Sequence, residues 1–114
     1  MSFDVYDRSI DLLRTLTPLL GSLVATDAKL ADQLRRAAQS VTLNIAEANR
    51  RTHRDRRNRF RIALGSAAEV AACLDVALAL GYVDDVAVAE ALTLVDRVRA
   101  MTYRLSTRSV AART

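Results

Sequence analysis

Seven arginines lie within residues 50–61 of this 114-residue chain, in the segment RRTHRDRRNRFR. Asp55 is the only acid there, and the arginines are Arg50, Arg51, Arg54, Arg56, Arg57, Arg59 and Arg61. A guanidinium group binds phosphate through two parallel hydrogen bonds, which the ammonium group of lysine does not. The segment, called the arginine cluster below, therefore predicts contact with the phosphate backbone of RNA or DNA. On a helix it would place Arg54, Arg57 and Arg61 on one face.

An ordinary solvated helix start would have the same composition. In that interpretation Asp55 and acids of neighbouring helices balance the arginines, and the preference for arginine over lysine comes from GC-rich coding. Arginines at a helix N-terminus oppose the helix dipole, so they are locally unfavourable and their presence needs a reason. Both interpretations stay open from the sequence, while reading of specific bases is not expected.

A second polar pattern lies on the preceding predicted helix. Its members fall within an arc of roughly 80° beside the apolar stripe of that helix. They are Gln33, Arg36, Ser40, Asn44 and Glu47, called the polar seam below. Such order predicts a hydrogen-bonded network at a helix interface, because a solvated face does not require it. A structural network that fixes helix register is the first interpretation, and a ligand site is the second.

The residues that usually carry catalysis are scarce. The chain has one His and one Cys, and it has no HExxH, CxxC, GxSxG or glycine-rich phosphate loop. His53 has no metal-ligand companion, Cys73 fits a small core residue, and Glu47 with Glu69 lacks the Glu-x-x-His signature of di-iron bundles. We therefore expect no enzyme, no metal and no cofactor.

The composition predicts one all-α domain over residues 1–114. The hydrophobic fraction is 51%, aromatic residues make up 4%, and there are three Gly and one Pro. The single cysteine and the acids near the N-terminus favour a cytoplasmic protein without an export signal. The apolar stretch 62–83 resembles a membrane span, but Glu69 and Asp75 lie within it, so we expect no membrane contact.

Hydrophobic periodicity predicts four helices, over about 3–25, 27–49, 53–80 and 84–105, with a frayed tail at 106–114. The first has its apolar stripe on Tyr6, Ile10, Leu13, Leu16, Leu20 and Leu23. Pro18 predicts a kink in it, or a break with Thr17 capping a second piece. Thr52 and Asp55 have the spacing of a capping box, and Gly81 is a typical residue after a helix end. These elements predict an up-and-down antiparallel four-helix bundle.

The third predicted helix lacks a polar side over much of its length. From Ile62 to Val83 only Glu69 and Asp75 are charged, and Ala68, Ala72 and Ala79 lie opposite its core stripe. A helix without a wet face needs a cover, and a second copy of the chain is the simplest one. The sequence thus predicts a homo-oligomer whose contact uses these small residues. The alternative is that the alanines are simply exposed, since alanine tolerates contact with water well.

The stretches QLRRAAQSVTLNIAEANRR and RFRIALGSAAEVAACLDVALALGYV resemble a family of bacterial four-helix-bundle proteins encoded in intervening sequences of 23S ribosomal RNA genes. The matching order of motifs runs from Gln33 to Tyr82. Family members usually have Gly directly after NIAE, where this chain has Ala48. The resemblance implies the up-and-down bundle, and it assigns Ser66 and Glu69 to the same polar set as the five seam residues.

Within that family the chain is similar to the accessory variability protein of diversity-generating retroelements. This similarity implies a ring-like homopentamer that binds nucleic acid and a reverse transcriptase. Two functions follow from sequence and resemblance together. One is a homo-oligomeric bundle that binds nucleic-acid backbone through the arginine cluster, and the alternative is a scaffold whose arginines meet an acidic partner protein without nucleic acid.

Overall fold

The computed structural model describes residues 3–107, which form four α-helices without a strand in that range. The helices are α1 (Phe3–Thr26), α2 (Ala28–Asn49), α3 (His53–Ala79) and α4 (Asp85–Thr107). Short connections reverse the chain each time, and the contacts run α1 to α2, α2 to α3, α3 to α4 and α4 back to α1. The predicted all-α, up-and-down four-helix bundle is thus confirmed, with extents of 51 × 21 × 20 Å. Each helix bound lies within two residues of the expected one.

Alternating large and small apolar residues build the core. The predicted apolar stripe of α2 is buried along its whole length, at Leu30, Leu34, Ala37, Val41, Ile45 and Ala48. Phe60, Val70 and Leu74 of α3 are at most 1% exposed. Many of the remaining core residues are alanines, which let the helix axes approach closely. Ala48, in the place of the usual family glycine, is fully buried and continues α2 to Asn49.

The stripe predicted for α1 is displaced by one residue. Leu16 and Leu23 are buried as expected, but the innermost line runs through Val5, Ser9, Leu12, Leu16, Leu19 and Leu23. Hydrophobic periodicity does not detect this line, because the polar Ser9 occupies a core position. Its hydroxyl donates to the carbonyl of Tyr6, and the hydroxyl of Thr42 on α2 donates to Ser9 Oγ over 3.1 Å.

Pro18 does not divide α1, which is continuous from Phe3 to Thr26. The alternative of a break capped by Thr17 is therefore wrong. Thr17 lies in the helix interior, where its hydroxyl donates to the carbonyl of Leu13. Pro18 is exposed, so its ring is directed away from the core.

Side chains and backbone groups form capping hydrogen bonds at two of the three connections between helices. Asp27 accepts a hydrogen bond from the amide of Leu30 and so caps α2, and Asp84 accepts one from the amide of Ala87 at the start of α4. After α3, Gly81 has φ +75°, and the amides of Gly81 and Tyr82 donate to the carbonyls of Leu78 and Ala77. This is the Schellman geometry that the glycine predicts.

The start of α3 differs from the expected capping box. Thr52 is the residue before the helix, but its side chain makes no capping hydrogen bond. His53 follows with φ +52°, a left-handed conformation that is rare for residues other than glycine. The reversal between α2 and α3 takes only a few residues, and the tight turn sets the backbone in a conformation that prevents the predicted cap.

The outward side of α3 is apolar, as predicted. Ala68, Ala72 and Ala79 are exposed, and Ile62 and Val76 are 41% and 43% exposed. By length and composition alone α3 is long and apolar enough to cross a membrane, yet its inner side packs in the bundle core and 33% of its most apolar stretch is buried. Core helices of bundles share this composition, so the expectation of no membrane contact stays a prediction.

The end of α4 extends beyond the expected boundary. Ser106 is buried at 2% exposure, and its hydroxyl donates to the carbonyl of Tyr103. Ser106 and Thr107 are therefore helical and not part of a frayed tail. The rest of the predicted tail, 108–114, lies outside the described residues.

Candidate nucleic-acid interface

The arginine cluster occupies the end of the bundle at which α2 passes into α3. Because the helices are antiparallel neighbours, the start of α1 and the end of α4 lie at this same end. The opposite end carries acids at its helix connections, among them Asp27, Asp84 and Asp85. The chain is therefore electrostatically bipolar, and the end with the cluster is called the arginine end below.

Three members of the arginine cluster are engaged by the protein itself. Arg56 donates through Nη1 to the carbonyl of Ala48 at 3.2 Å, and its guanidinium lies 5.0 Å from the centre of the Phe60 ring. Arg59 donates to Oδ1 of Asn44 at 3.3 Å. Arg51 pairs with Glu47 at 3.4 Å. Arg56 thus stabilises the C-terminus of α2, where its charge also complements the helix dipole.

The other four arginines of the cluster have no carboxylate within 4.0 Å in the described part of the chain: Arg50, Arg54, Arg57 and Arg61. Asp55 forms no ion pair there either. The acids of α1 pair with arginines of α1 itself, Arg8 with Asp4 and Asp11, and Arg14 with Asp11. Glu47 balances the charge of Arg51, but no carboxylate of residues 3–107 forms an ion pair with these four arginines.

Arg57 carries a further indication. Its Nε is buried, and within the described residues this N–H group has no hydrogen-bond partner. A buried donor without an acceptor costs about 1–3 kcal/mol. The buried Oδ1 of Asn49 likewise has no hydrogen-bond partner in the described residues, so the turn between α2 and α3 holds one unsatisfied donor and one unsatisfied acceptor.

Part of the predicted polar seam forms a network between α2 and α3. The hydroxyls of Ser40 and Ser66 are 2.7 Å apart, and Asn44 donates to the hydroxyl and the carbonyl of Ser40. Asn44 also accepts from Arg59, so the network reaches the arginine cluster. These polar groups satisfy one another where the two helices meet, as the structural interpretation of the seam expects.

The remaining seam residues behave differently from one another. Gln33 donates to Glu69 across the helices at 3.3 Å, in an exposed position. Arg36 pairs with Asp32 on its own helix at 2.9 Å, and Glu47 pairs with Arg51. The shared arc of these residues was predicted from their spacing. Within the described residues neither Arg36 nor Glu47 forms a hydrogen bond or ion pair with α3, because each pairs with a residue four positions away in the sequence.

The described residues offer few side chains that are suited to catalysis or metal binding. Residues 3–107 contain no group of three His, Cys, Asp or Glu side chains placed to hold a metal ion. Cys73 is buried, and burial, followed by the charge of Glu69, raises the pKa of its thiol. A thiol with a raised pKa is a poor nucleophile at neutral pH. His53 is exposed at the helix start.

Two residues beside the cluster were not part of the predicted site. Arg99 and Tyr103 of α4 line a groove together with Arg61 of α3, and Tyr103 is 57% exposed. The sequence contained a signal for this pair, since Tyr103 is an aromatic residue among Arg97, Arg99 and Arg104. Its position beside Arg61 depends on the register between α3 and α4, which the pattern of a single helix does not contain.

The fold and the arginine end define the class of the protein, a small helical bundle with one basic end. The chain belongs to the 23S rRNA-intervening sequence protein family, whose sequence model matches residues 1–104. Its fold is similar to the crystal structure of a protein of unknown function from the S23 ribosomal protein family of Bacteroides thetaiotaomicron VPI-5482. That similarity has a TM-score of 0.81 at 22% identity and covers 90% of this chain and 98% of the other.

No curated protein sequence matches the chain. The match of the family's sequence model confirms the resemblance to the family. The more particular similarity to the retroelement accessory protein, with its pentamer and its reverse transcriptase, stays a prediction.

Proposed function

We propose that this protein is a non-enzymatic, cytoplasmic homo-oligomer that binds the phosphate backbone of nucleic acid through its arginine cluster. The observation that carries the proposal is the group of four cluster arginines without a carboxylate partner in residues 3–107. Guanidinium groups that the protein leaves unpaired at one end can neutralise phosphates and release their counterions.

Backbone contact fits this site better than base reading. The cluster lies at a turn and in the first turns of α3, and helix N-termini favour anions through their dipoles. Thr52 does not occupy the helix start with a side-chain cap, so nearby amides stay available to a phosphate. Such contacts fix position on a nucleic acid without carrying sequence information.

Assembly would multiply this weak site. The outward side of α3 exposes Ile62, Ala72 and Val76, and covering it with another copy removes apolar surface from water. A ring of copies, for which the family resemblance favours a pentamer, would bring several arginine ends to one nucleic acid. A reverse transcriptase or another protein is a further partner that the resemblance suggests.

The salt dependence of binding tests the proposal. We expect the affinity for a labelled RNA or DNA oligonucleotide to fall steeply with salt. Replacing Arg54, Arg57 and Arg61 by Ala should reduce the slope of log K against log salt by about 2–3 per protomer engaged, at about 0.7–0.9 per phosphate contact. The matched control replaces Arg14, Arg35 and Arg36, which also removes three charges but lies away from the arginine end.

Equal slopes for the cluster variant and the control would contradict a localised site, and absent binding at low ionic strength would contradict the function altogether. In the latter case a pull-down from nuclease-treated lysate distinguishes the scaffold alternative. An acidic protein partner would then be retained by the wild type and lost with the three arginines.

A further inference from the structure

A groove of about 570 Å³ lies between α3 and α4 next to the arginine cluster. Its floor is made by small residues, Gly65 and Ala68 of α3 and Ala100 of α4, beside the half-buried Leu64. Because Ala68 is also one of the alanines of the predicted subunit contact, an open groove requires that this contact use Ile62, Ala72 and Val76 and leave Ala68 free. Arg61 and Arg99 stand on opposite helices along it, and Tyr103 completes the lining. The groove is open to solvent, since Arg61, Gly65, Ala68, Arg99, Ala100 and Tyr103 are all exposed.

Gly65 keeps this groove open, although the fold does not require a glycine there. A Cβ built at Gly65 meets no atom within 4 Å, and the residue lies in the interior of a regular helix. Glycine in a helix interior costs about 0.5–1 kcal/mol relative to alanine. Backbone conformation and packing within the chain explain neither this glycine nor Gly21, but at Gly65 the open space is lined by Arg61, Arg99 and Tyr103.

The charges along the groove are unpaired within the chain. Arg61 and Arg99 are exposed and have no carboxylate within 4.0 Å in the described residues. Guanidinium groups on both sides of a groove can each bind a phosphate of one strand. Arg99 thereby extends the basic surface from α3 onto α4.

Tyr103 adds a second type of contact. Its ring is 57% exposed, in a helix whose other large side chains mostly pack inward. An exposed aromatic beside arginines is the arrangement on which unpaired bases stack in single-strand binding proteins. Bases of a duplex already stack on their neighbours and would not reach the ring.

We propose that the groove between α3 and α4 binds an unpaired nucleotide of a single-stranded nucleic acid, with phosphates on Arg61 and Arg99 and the base against Tyr103. This inference rests on the proposed function and narrows it from any nucleic-acid backbone to single strands. It also places the site across two helices, in contrast to the linear cluster of residues 50–61.

Fluorescence anisotropy with a labelled single strand and with its duplex, each as RNA and as DNA, tests the groove. Tyr103→Ala removes the stacking surface and should weaken single-strand binding about tenfold, while Tyr103→Phe should retain it. Gly65→Leu places a side chain in the groove, at a position where the added Cβ meets no atom within 4 Å, and it should weaken single-strand binding comparably. Val86→Ala, at an 87% exposed position at the opposite end, is the control.

The outcomes separate the two proposals. Single-strand affinity that falls in both Tyr103→Ala and Gly65→Leu, with weak and unchanged duplex binding, supports the groove. Single-strand binding that has a steep salt slope but is indifferent to both variants overturns the groove and leaves the proposed function intact. Equal affinity of strand and duplex overturns it as well, and absent binding of every probe overturns both proposals. Circular dichroism of each variant establishes that the fold is unchanged.

Discussion

Arg56 and Arg54 are separated by one residue in the arginine cluster, yet the structure gives them different tasks. Arg56 is half-buried, donates to the carbonyl of Ala48 and lies over Phe60, whereas Arg54 is exposed and has no carboxylate partner in the described residues. Replacing each by Met keeps an unbranched side chain and removes only the guanidinium. Arg56→Met should therefore lower stability, and Arg54→Met should lower nucleic-acid affinity.

The expected loss of stability in Arg56→Met follows from the two contacts of Arg56. A hydrogen bond from a charged group contributes about 1.5–3 kcal/mol, and a partly exposed cation–π contact about 0.5–1 kcal/mol. Solvent access and the retained packing of Met reduce the sum, so we expect a loss of about 2 kcal/mol. For a chain of this length that lowers the melting temperature by about 8 °C. Arg54→Met should stay within about 0.5 kcal/mol of the wild type.

Thermal and urea denaturation followed by circular dichroism measure both variants, at one protein concentration because oligomers melt in a concentration-dependent way. The salt slope of oligonucleotide binding is the second readout, and it should fall for Arg54→Met and stay nearly unchanged for Arg56→Met. Equal stabilities for the two variants would refute the division of the cluster into a structural and a binding part.

Three further predictions concern the bundle itself. Gly21→Ala should raise the free energy of unfolding by about 0.5–1 kcal/mol in urea titration, because the added Cβ meets nothing within 4 Å in a helix interior; a loss would contradict the open surroundings. Ser9→Ala should cost about 1–2 kcal/mol in the same assay, since the Thr42 hydroxyl loses its acceptor, and a neutral result would contradict that contact. The hydrogen bond from Arg35, with the charge of Arg36, lowers the pKa of Asp32 below its usual value. The folded state then binds fewer protons than the unfolded state, so Asp32→Asn should lower stability at neutral pH and lose this effect as the pH falls through the pKa of the folded carboxyl; a pH-independent difference would contradict the pairing.

Hydrophobic periodicity sufficed for much of the fold and failed where a polar residue takes a core position. The stripe of α2 is uninterrupted in the sequence, and it is buried along its length. In α1 the innermost line of residues includes the polar Ser9. A prediction that followed large apolar residues therefore placed the buried stripe of α1 one residue too far along the chain. Position in a pattern carries no information about a hydrogen-bond partner on another helix, such as Thr42.

The candidate site, too, could be predicted from the sequence only in part. Clustering of arginines is visible in the sequence, but which of them the protein uses internally depends on neighbours across a turn, as Arg56 with Ala48 shows. Thr52 and Asp55 have the spacing of a capping box, whereas the tight reversal at His53 prevents the cap. The groove residue Tyr103 becomes recognisable only once the register of α3 against α4 is fixed.

The outward side of α3 determines whether the arginine ends act singly or together, so the mass of the native particle tests the account most directly. Sedimentation equilibrium of the full chain at micromolar concentration should give a multiple of the 12.5 kDa protomer, with about five copies for the expected ring. Ala72→Glu, which places a charge on the exposed apolar side, should shift the particle toward the protomer. A wild-type mass of 12.5 kDa would contradict the assembly from which the proposed binding strength derives.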